Sequence, residues 1–368
     1  MLNNKTVAVV IPAFNEEEQI RHVIETIPDF ADRIVVVNDC SNDRTEKIVH
    51  EYLNNKNKRR RKITKVKSSI KHSKYNQAEI VLQKINEKED NLFISSEIVN
   101  KNQENDRIIL INNKKNGGVG AAIARGYKWC RDHNIDCTAV MAGDGQMDPS
   151  ELKEICKPVV EEGIDYVKGN RLIHRSAWFV IPKIRYFGNA IISILTKIAS
   201  GYWHVSDTQT GYTAISLKAL KAIRLHNIYR GYGMPNDMLV KLNIAFCTIK
   251  EVEIKPVYRV GEKSKMKIFR VIPKISWLLF KSFFKRLWIK YFFRNFHPLF
   301  LFYNFAFFLG IININYIIKI IDKMINNQSI PNATLFAFVF LFISSFQSLF
   351  FAMWMDIQDN DRLDKSLS

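Results

Sequence analysis

A chain of 368 residues with 47% apolar side chains is too long and too apolar for a disordered tail, and has room for one large domain plus an appendage. Its formal charge of +18 is of the kind that suits nucleic acid, anionic lipid or phosphorylated substrates. Five cysteines, an odd number without a CxxC pair, point to reduced thiols facing a cytosol.

The opening "MLNNKTVAVVIP" leads straight into a strand and lacks the basic-then-apolar order of a secretory signal. "TVAVVIP" has the composition of a buried strand, and Asn15 with "EEEQIRHVIETI" reads as a capped helix start. "RIVVVND" and "NDRTEKIVHEYL" repeat the strand and helix, and "RIILIN", "GGVGAAIARGYKWCRDH" and "CTAVMAGD" continue it. This alternation predicts a mostly parallel α/β sheet whose functional loops lie at the strand C-termini. Residues 54–106 interrupt it with "NNKNKRRRKITKVK" and further polar sequence. A connection here ordinarily takes about 2–6 residues, so the segment is an insertion, expected to be a solvated, partly disordered surface loop.

Polar clusters follow the strands. Asp39 can accept the imide or amide hydrogen of a nucleobase, or with Ser41 cap the next helix. In "NKKNGGVGAAIARG", Gly118 and Gly120 lack the third glycine of a dinucleotide fingerprint, and the turn follows the third strand rather than the first. In "VMAGDGQMDP", Asp144 and Gln146 alternate along an extended segment, so both can face one Mg2+ or Mn2+ ion, leaving positions for substrate phosphates. Asp148 before Pro149 fits a helix N-cap.

The second half turns toward the membrane. "RSAWFVIPKIRYFGNAIISILTKIASGYWHV" joins aromatic and apolar residues to Arg175, Lys183 and Arg185. It is either a core helix with a snorkelling basic face or an acceptor helix guiding a lipid phosphate. Residues 271–295 form a predicted interfacial helix, with Lys274, Lys281 and Lys285 on one stripe and Arg286, Lys290 and Arg294 on another. Aromatic rings between them would sit at headgroup depth, with the cations near lipid phosphates. His297 to Ile318 and Ala333 to Met355 carry no fixed charge, although Asn304, Asn313 and Asn315 dilute the first stretch. Each exceeds the ~20 residues that cross a bilayer. We expect a transmembrane hairpin, 296–320 and 332–355, with the basic flank placing residues 1–295 and the 356–368 tail in the cytoplasm.

"VVIPAFNEE", "VVVNDCSND", "NGGVGAAIARGY", "GDGQMDP", "YVKGNR", "SDTQTGYTAIS" and "YRVGEKSKMK", in that order, resemble family 2 glycosyltransferases of the GT-A fold. More narrowly the chain is similar to the dolichyl/polyprenyl-phosphate sugar synthase branch, over about residues 5–270 without the insertion. The resemblance implies a GT-A domain over residues 1–270, a UDP- or GDP-linked sugar donor, a polyprenyl phosphate acceptor and a Mg2+ or Mn2+ ion. It implies that Pro12, Phe14 and Glu16 surround the nucleoside, Val37 and Asp39 its base, and Ala142 and Gly143 the nucleotide sugar. Asp144 is then catalytic and a metal ligand with Gln146, while Arg171, Arg259 and Lys265 contact phosphates. Asp207 is the second catalytic candidate, orienting sugar or acceptor, or else capping its loop.

Two positions depart from the family pattern. Ala142 replaces the first acid of its DxD element, and Thr213 stands where an arginine is common. The QxxRW signature of processive polysaccharide synthases is absent, since no Trp directly follows an Arg. Nucleic acid is not an expected partner, because charge alone does not explain acids placed after successive strands.

Overall fold

The computed structural model describes residues 1–55, 61–65, 73–258 and 268–366. The run VAVVI can only be a strand covered on both faces, and β1 (Val7–Ala13) is buried along almost its whole length. After α1 (Ile20–Thr26) the equally apolar β2 (Arg33–Asn38) pairs parallel to it, and α2 (Thr45–Asn55) covers the same layer.

The insertion folds further than its polarity suggests. It contributes α3 (Gln77–Glu89) and a short strand, β3 (Ser96–Ile98), antiparallel to β4 (Ile108–Asn113). Fully buried Arg33 staples its two limbs, donating from Nη2 to the carbonyls of Arg61 (2.7 Å) and Glu104 (2.6 Å). Buried Glu89 is paired with Arg131. The signal was weak because α3 buries little beyond Ile80 and exposes Val81, Leu82 and Ile85. Residues 58–60 of the basic run lie outside the described residues.

The pattern resumes with α4 (Val119–Asp132), β5 (Cys137–Val140), α5 (Leu152–Glu161) and β6 (Tyr166–Asn170). Next come α6 (Ala177–Val180), α7 (Lys183–Ser200), β7 (Thr213–Ser216), α8 (Leu217–Ala222), α9 (Met234–Ile244) and β8 (Ile249–Glu253). The eight strands lie in the order β3-β4-β2-β1-β5-β7-β6-β8, with β3 and β7 antiparallel to their neighbours. The expected mostly parallel α/β sheet is the one the chain adopts. All five cysteines are free.

Register decides where the chemistry gathers. Ala13 lies beside Asn38, Asn38 beside Asn112, Val140 beside Thr213 and Thr213 beside Lys168. The C-termini of β1, β2, β4, β5 and β6 and the N-terminus of β7 therefore share one rim.

Beyond the sheet, α10 (Ile268–Trp288) continues as a π-helical turn over Ile289–Arg294 and leads to α11 (Pro298–Ile325) and α12 (Asn332–Asp361). The last two, of 28 and 30 residues, are long and apolar enough to cross a membrane. They pack closely, with Ser345 Oγ donating to the Ala306 carbonyl at 2.9 Å, while Phe308, Ile311, Phe336 and Phe340 face outward. Asn304 is accommodated by donating to the Phe300 carbonyl one turn back, and Asn313 is buried.

The basic stripes of α10 separate. Lys274, Lys281 and Lys285 are exposed beside Trp277 and Phe280. Arg286 and Lys290 do not reach outward; both are buried. Arg286 forms a two-pronged pair with Asp356 at 2.7 Å, and Lys290 reaches Asp359 at 3.3 Å and Asn243 at 3.0 Å. Acids at the end of α12 supply these counter-charges. Past that helix the chain pairs with β8: Ile249 N donates to the Leu363 carbonyl and Lys365 N to the Ile249 carbonyl, both at 2.8 Å. The C-terminal end of the hairpin is thus tied to the sheet domain.

Candidate active site

The β1–α1 and β2–α2 loops are laced together by short polar side chains. Asn15, in a left-handed conformation at φ +54°, donates its N–H to Ser41 Oγ and accepts from Asn42 N. Glu16 N donates to Thr45 Oγ1 at 2.8 Å. Pro12, Phe14 and Glu16 all lie half-buried here, whereas the Val37 side chain belongs to the core.

Asp39 closes β2 and is 2% exposed. It neither caps the helix that follows it nor stands clear: it accepts from Gly117 N (3.0 Å), Gly118 N (2.7 Å) and Asn113 Nδ2 (2.8 Å). It therefore braces the glycine-rich turn. Gly118 sits at φ +86°, where a Cβ is disfavoured, and leads into α4. A Cβ on Gly120 would stand 1.9 Å from the Tyr229 carbonyl oxygen. The segment 229–237 lies over this turn, accepting from Gly120 N through the Arg230 carbonyl at 2.8 Å. Gly120→Ala is expected to destabilise the protein by about 1–3 kcal/mol, because backbone rather than a flexible side chain must move. A thermal melt of the purified chain checks this; an unchanged midpoint refutes it.

The acid turn leaves β5 beside the β1–α1 loop. Gly143 N approaches the Pro12 carbonyl at 3.4 Å, and the place of its missing Cβ is 3.5 Å from Glu16 Cγ. Asp144 accepts from Gln146 N at 3.1 Å across Gly145, which holds φ +73°. Asp148 is the N-cap expected, accepting from Ser150 N at 2.9 Å, with Lys255 at 3.6 Å. Among the described residues no group of three or more His, Cys, Asp or Glu converges as an all-protein metal cage. With Ala142 beside it, the turn offers one carboxylate and one amide. That donor set fits an ion of the magnesium class whose remaining ligands are water and substrate phosphate.

Arg171 and Asp207, named separately from the sequence, form one unit. Asp207 accepts from Arg171 N (3.1 Å), Nε (2.8 Å) and Nη2 (3.0 Å), and caps its own loop through Thr210 N at 3.2 Å. Burial alone would raise the Asp207 carboxyl, but the Arg171 guanidinium outweighs it and holds the group below the usual carboxylate range. Burial likewise works against the Arg171 charge and Asp207 reverses it, raising the pKa. Arg259 and Lys265 lie outside the described residues.

Two residues here escaped the sequence reading. Lys168, fully buried in β6, donates to the Thr210 carbonyl at 2.6 Å. Glu251 in β8 accepts from Ser206 N (3.0 Å), Asp207 N (3.1 Å) and Asn170 Nδ2 (2.7 Å). The available signal was a charged side chain at an inward position of a strand.

Next to the rim, α6 and α7 expose Trp178, Phe179, Phe187, Ile191 and Ile194, while Ile192, Thr196 and Ala199 are buried. Lys183 Nζ lies 5.8 Å from the Trp178 ring, and the Arg185 side chain lies outside those described. The helix has both a core face and an exposed apolar face.

Compared with protein families, the chain matches Glycosyl transferase family 2 over residues 8–79 and 68–224. It is 26% identical over 256 residues to the UDP-N-acetylglucosamine–dolichyl-phosphate N-acetylglucosaminyltransferase of Methanococcus voltae, covering 69% of this chain and 87% of that relative. An uncharacterized protein of Methanocaldococcus jannaschii is 24% identical over 258 residues, or 70% of this chain and 84% of the relative. Among solved structures, glucosyl-3-phosphoglycerate synthase from Mycobacterium tuberculosis, in complex with Mn2+, uridine diphosphate and glucosyl-3-phosphoglycerate, aligns with a TM-score of 0.46 and 16% identity. That alignment covers 77% of this chain and 80% of the other.

Proposed function

We propose, from the premise that the chain belongs to glycosyl transferase family 2, that it moves a sugar from a nucleotide diphosphate sugar to a polyprenyl phosphate at a membrane surface. Family membership makes it a glycosyltransferase. The lipid acceptor is supported by the dolichyl-phosphate specificity in the name of the Methanococcus voltae relative. The observation that carries the reading is the tethering of the hairpin, at the end of α12, to the domain that bears the rim. A nucleotide sugar arrives from water and a polyprenyl chain from the bilayer, so the enzyme must hold its rim beside lipid.

In the proposed inverting step, an oxygen of the acceptor phosphate bonds to the anomeric carbon as the bond to the nucleoside diphosphate breaks. The electron pair leaves with the diphosphate. An acceptor phosphate is already ionised at neutral pH, so the residues need not remove a proton. The glycine-rich turn braced by Asp39, with Pro12, Phe14 and Glu16, would seat the nucleoside. Asp144 and Gln146 would hold a Mg2+ or Mn2+ ion, which when bound offsets charge on the departing diphosphate. Arg171, kept charged by Asp207, would add to that stabilisation. The exposed face of α7, with Trp178 and Lys183, would lead the lipid phosphate toward the rim.

Membranes containing the protein should convert a labelled nucleotide sugar, UDP-N-acetylglucosamine foremost, into organic-extractable label. EDTA should abolish the conversion. No lipid-soluble label from any UDP- or GDP-linked sugar would refute the reading.

A further inference from the structure

Two segments carry the Arg171–Asp207 unit, one leaving β6 and one entering β7, and besides the Arg171–Asp207 and Lys168–Thr210 contacts a third side chain bridges them. Glu251 sits on the neighbouring strand β8, and its carboxylate takes Ser206 N and Asp207 N on one side and Asn170 Nδ2 on the other. Asn170 uses its Oδ1 to hold Leu172 N at 2.8 Å, which fixes the turn just past Arg171. We propose that Glu251 is a positioning residue of the transfer reaction, setting the Asp207 loop and through it the aim of the Arg171 guanidinium. The inference rests on the functional reading above, in which Arg171 meets donor phosphate.

The surroundings exclude a merely space-filling role. Fully buried Lys168 and buried Asp207 lie with half-buried Glu251 and Arg171, making a cluster of two cations and two anions. Burial lowers the Lys168 ammonium toward a pKa of about 8, against the pull of Asp207 and Glu251. Loss of that proton leaves the cluster with one net negative charge beside a site meant for a diphosphate. Transfer should therefore decline as pH rises through about 8. Without the Glu251 charge the same loss takes the cluster from one net positive charge to neutral. Lys168, with one carboxylate fewer to hold its proton, gives it up sooner, so the midpoint of the decline should move to lower pH. A residue that only stabilised the fold would lower the melting temperature without moving this limb.

The test uses the full chain in detergent, as wild type, Glu251→Gln, Asn170→Ala and Arg171→Ala, with inorganic diphosphate as the anionic probe. The amide introduced by Glu251→Gln must turn its NH2 toward one of the three N–H donors. That variant should therefore weaken diphosphate binding by about tenfold or more, as Arg171→Ala does. Hydrogen exchange at Ser206 and Asp207 should accelerate, and the alkaline limb should shift to lower pH. Asn170→Ala, which cuts one arm only, should shift binding in the same direction and serves if Glu251→Gln does not fold. Wild-type exchange at Ser206 and Asp207 in both variants overturns the proposal, as does unaltered diphosphate binding where Arg171→Ala weakens it. If the wild type transfers no sugar to polyprenyl phosphate, the functional reading falls, while exchange and diphosphate binding still decide the role of Glu251.

Discussion

Asp144→Ala is expected to reduce sugar transfer by about 100- to 1,000-fold, the loss typical when one charge-stabilising group is removed from a transition state. The expectation rests on how little else the acid turn offers a divalent ion. Ala142 contributes no carboxylate, and Asp148 is engaged by Ser150 N and Lys255. Asp144 is half-buried at the rim, outside the apolar clusters, so its loss should leave the fold intact. Transfer rates over a range of Mg2+ or Mn2+ concentrations check this. The companion Ala142→Asp should lower the ion concentration needed for half-maximal rate by supplying the missing acid. Near-normal turnover by Asp144→Ala would remove the metal from this turn.

Asp356→Ala should cost about 3–5 kcal/mol of stability, since it leaves a buried guanidinium without its counter-charge. Arg286 and Asp356 are 1% and 0% exposed. The guanidinium also donates to the carbonyls of Ala199 and Ile198 at the end of α7. It fits only because Gly201, in a left-handed conformation, has no Cβ; one added there would lie 2.5 Å from Arg286 Nη1. One residue of α12 thus stabilises the contact among α7, α10 and the hairpin. Thermal unfolding of the detergent-solubilised full chain measures the loss, and an unmoved midpoint would show the pair to be dispensable. A reduced rate toward a long polyprenyl phosphate, at a temperature where the variant is folded, would tie this joint to lipid delivery.

Much of the molecule was legible locally. Runs such as VAVVIP and RIVVVN can satisfy their backbone and bury their side chains only as covered strands, and the turns after them announce themselves by Asp and Gly. The N-cap at Asp148 follows from the proline next to it. The folded part of the insertion was not legible, because α3 lacks a continuous apolar stripe and is anchored at its end by Glu89 and Asp90, whose partners Arg131 and Arg125 lie far along the chain.

The sequence by itself determined the strand–helix alternation, the polar residues at the strand ends and the two charge-free helices, since each depends on spacing within a few residues. Only the tertiary structure decided which charges meet. Arg171 and Asp207 are separated by 36 residues, and Arg286 and Asp356 by 70, so no local pattern pairs them. Composition places Arg286 and Lys290 on a basic helix that suits lipid phosphates. A buried charge must find a partner, and the acids at the end of α12 turn those two cations inward.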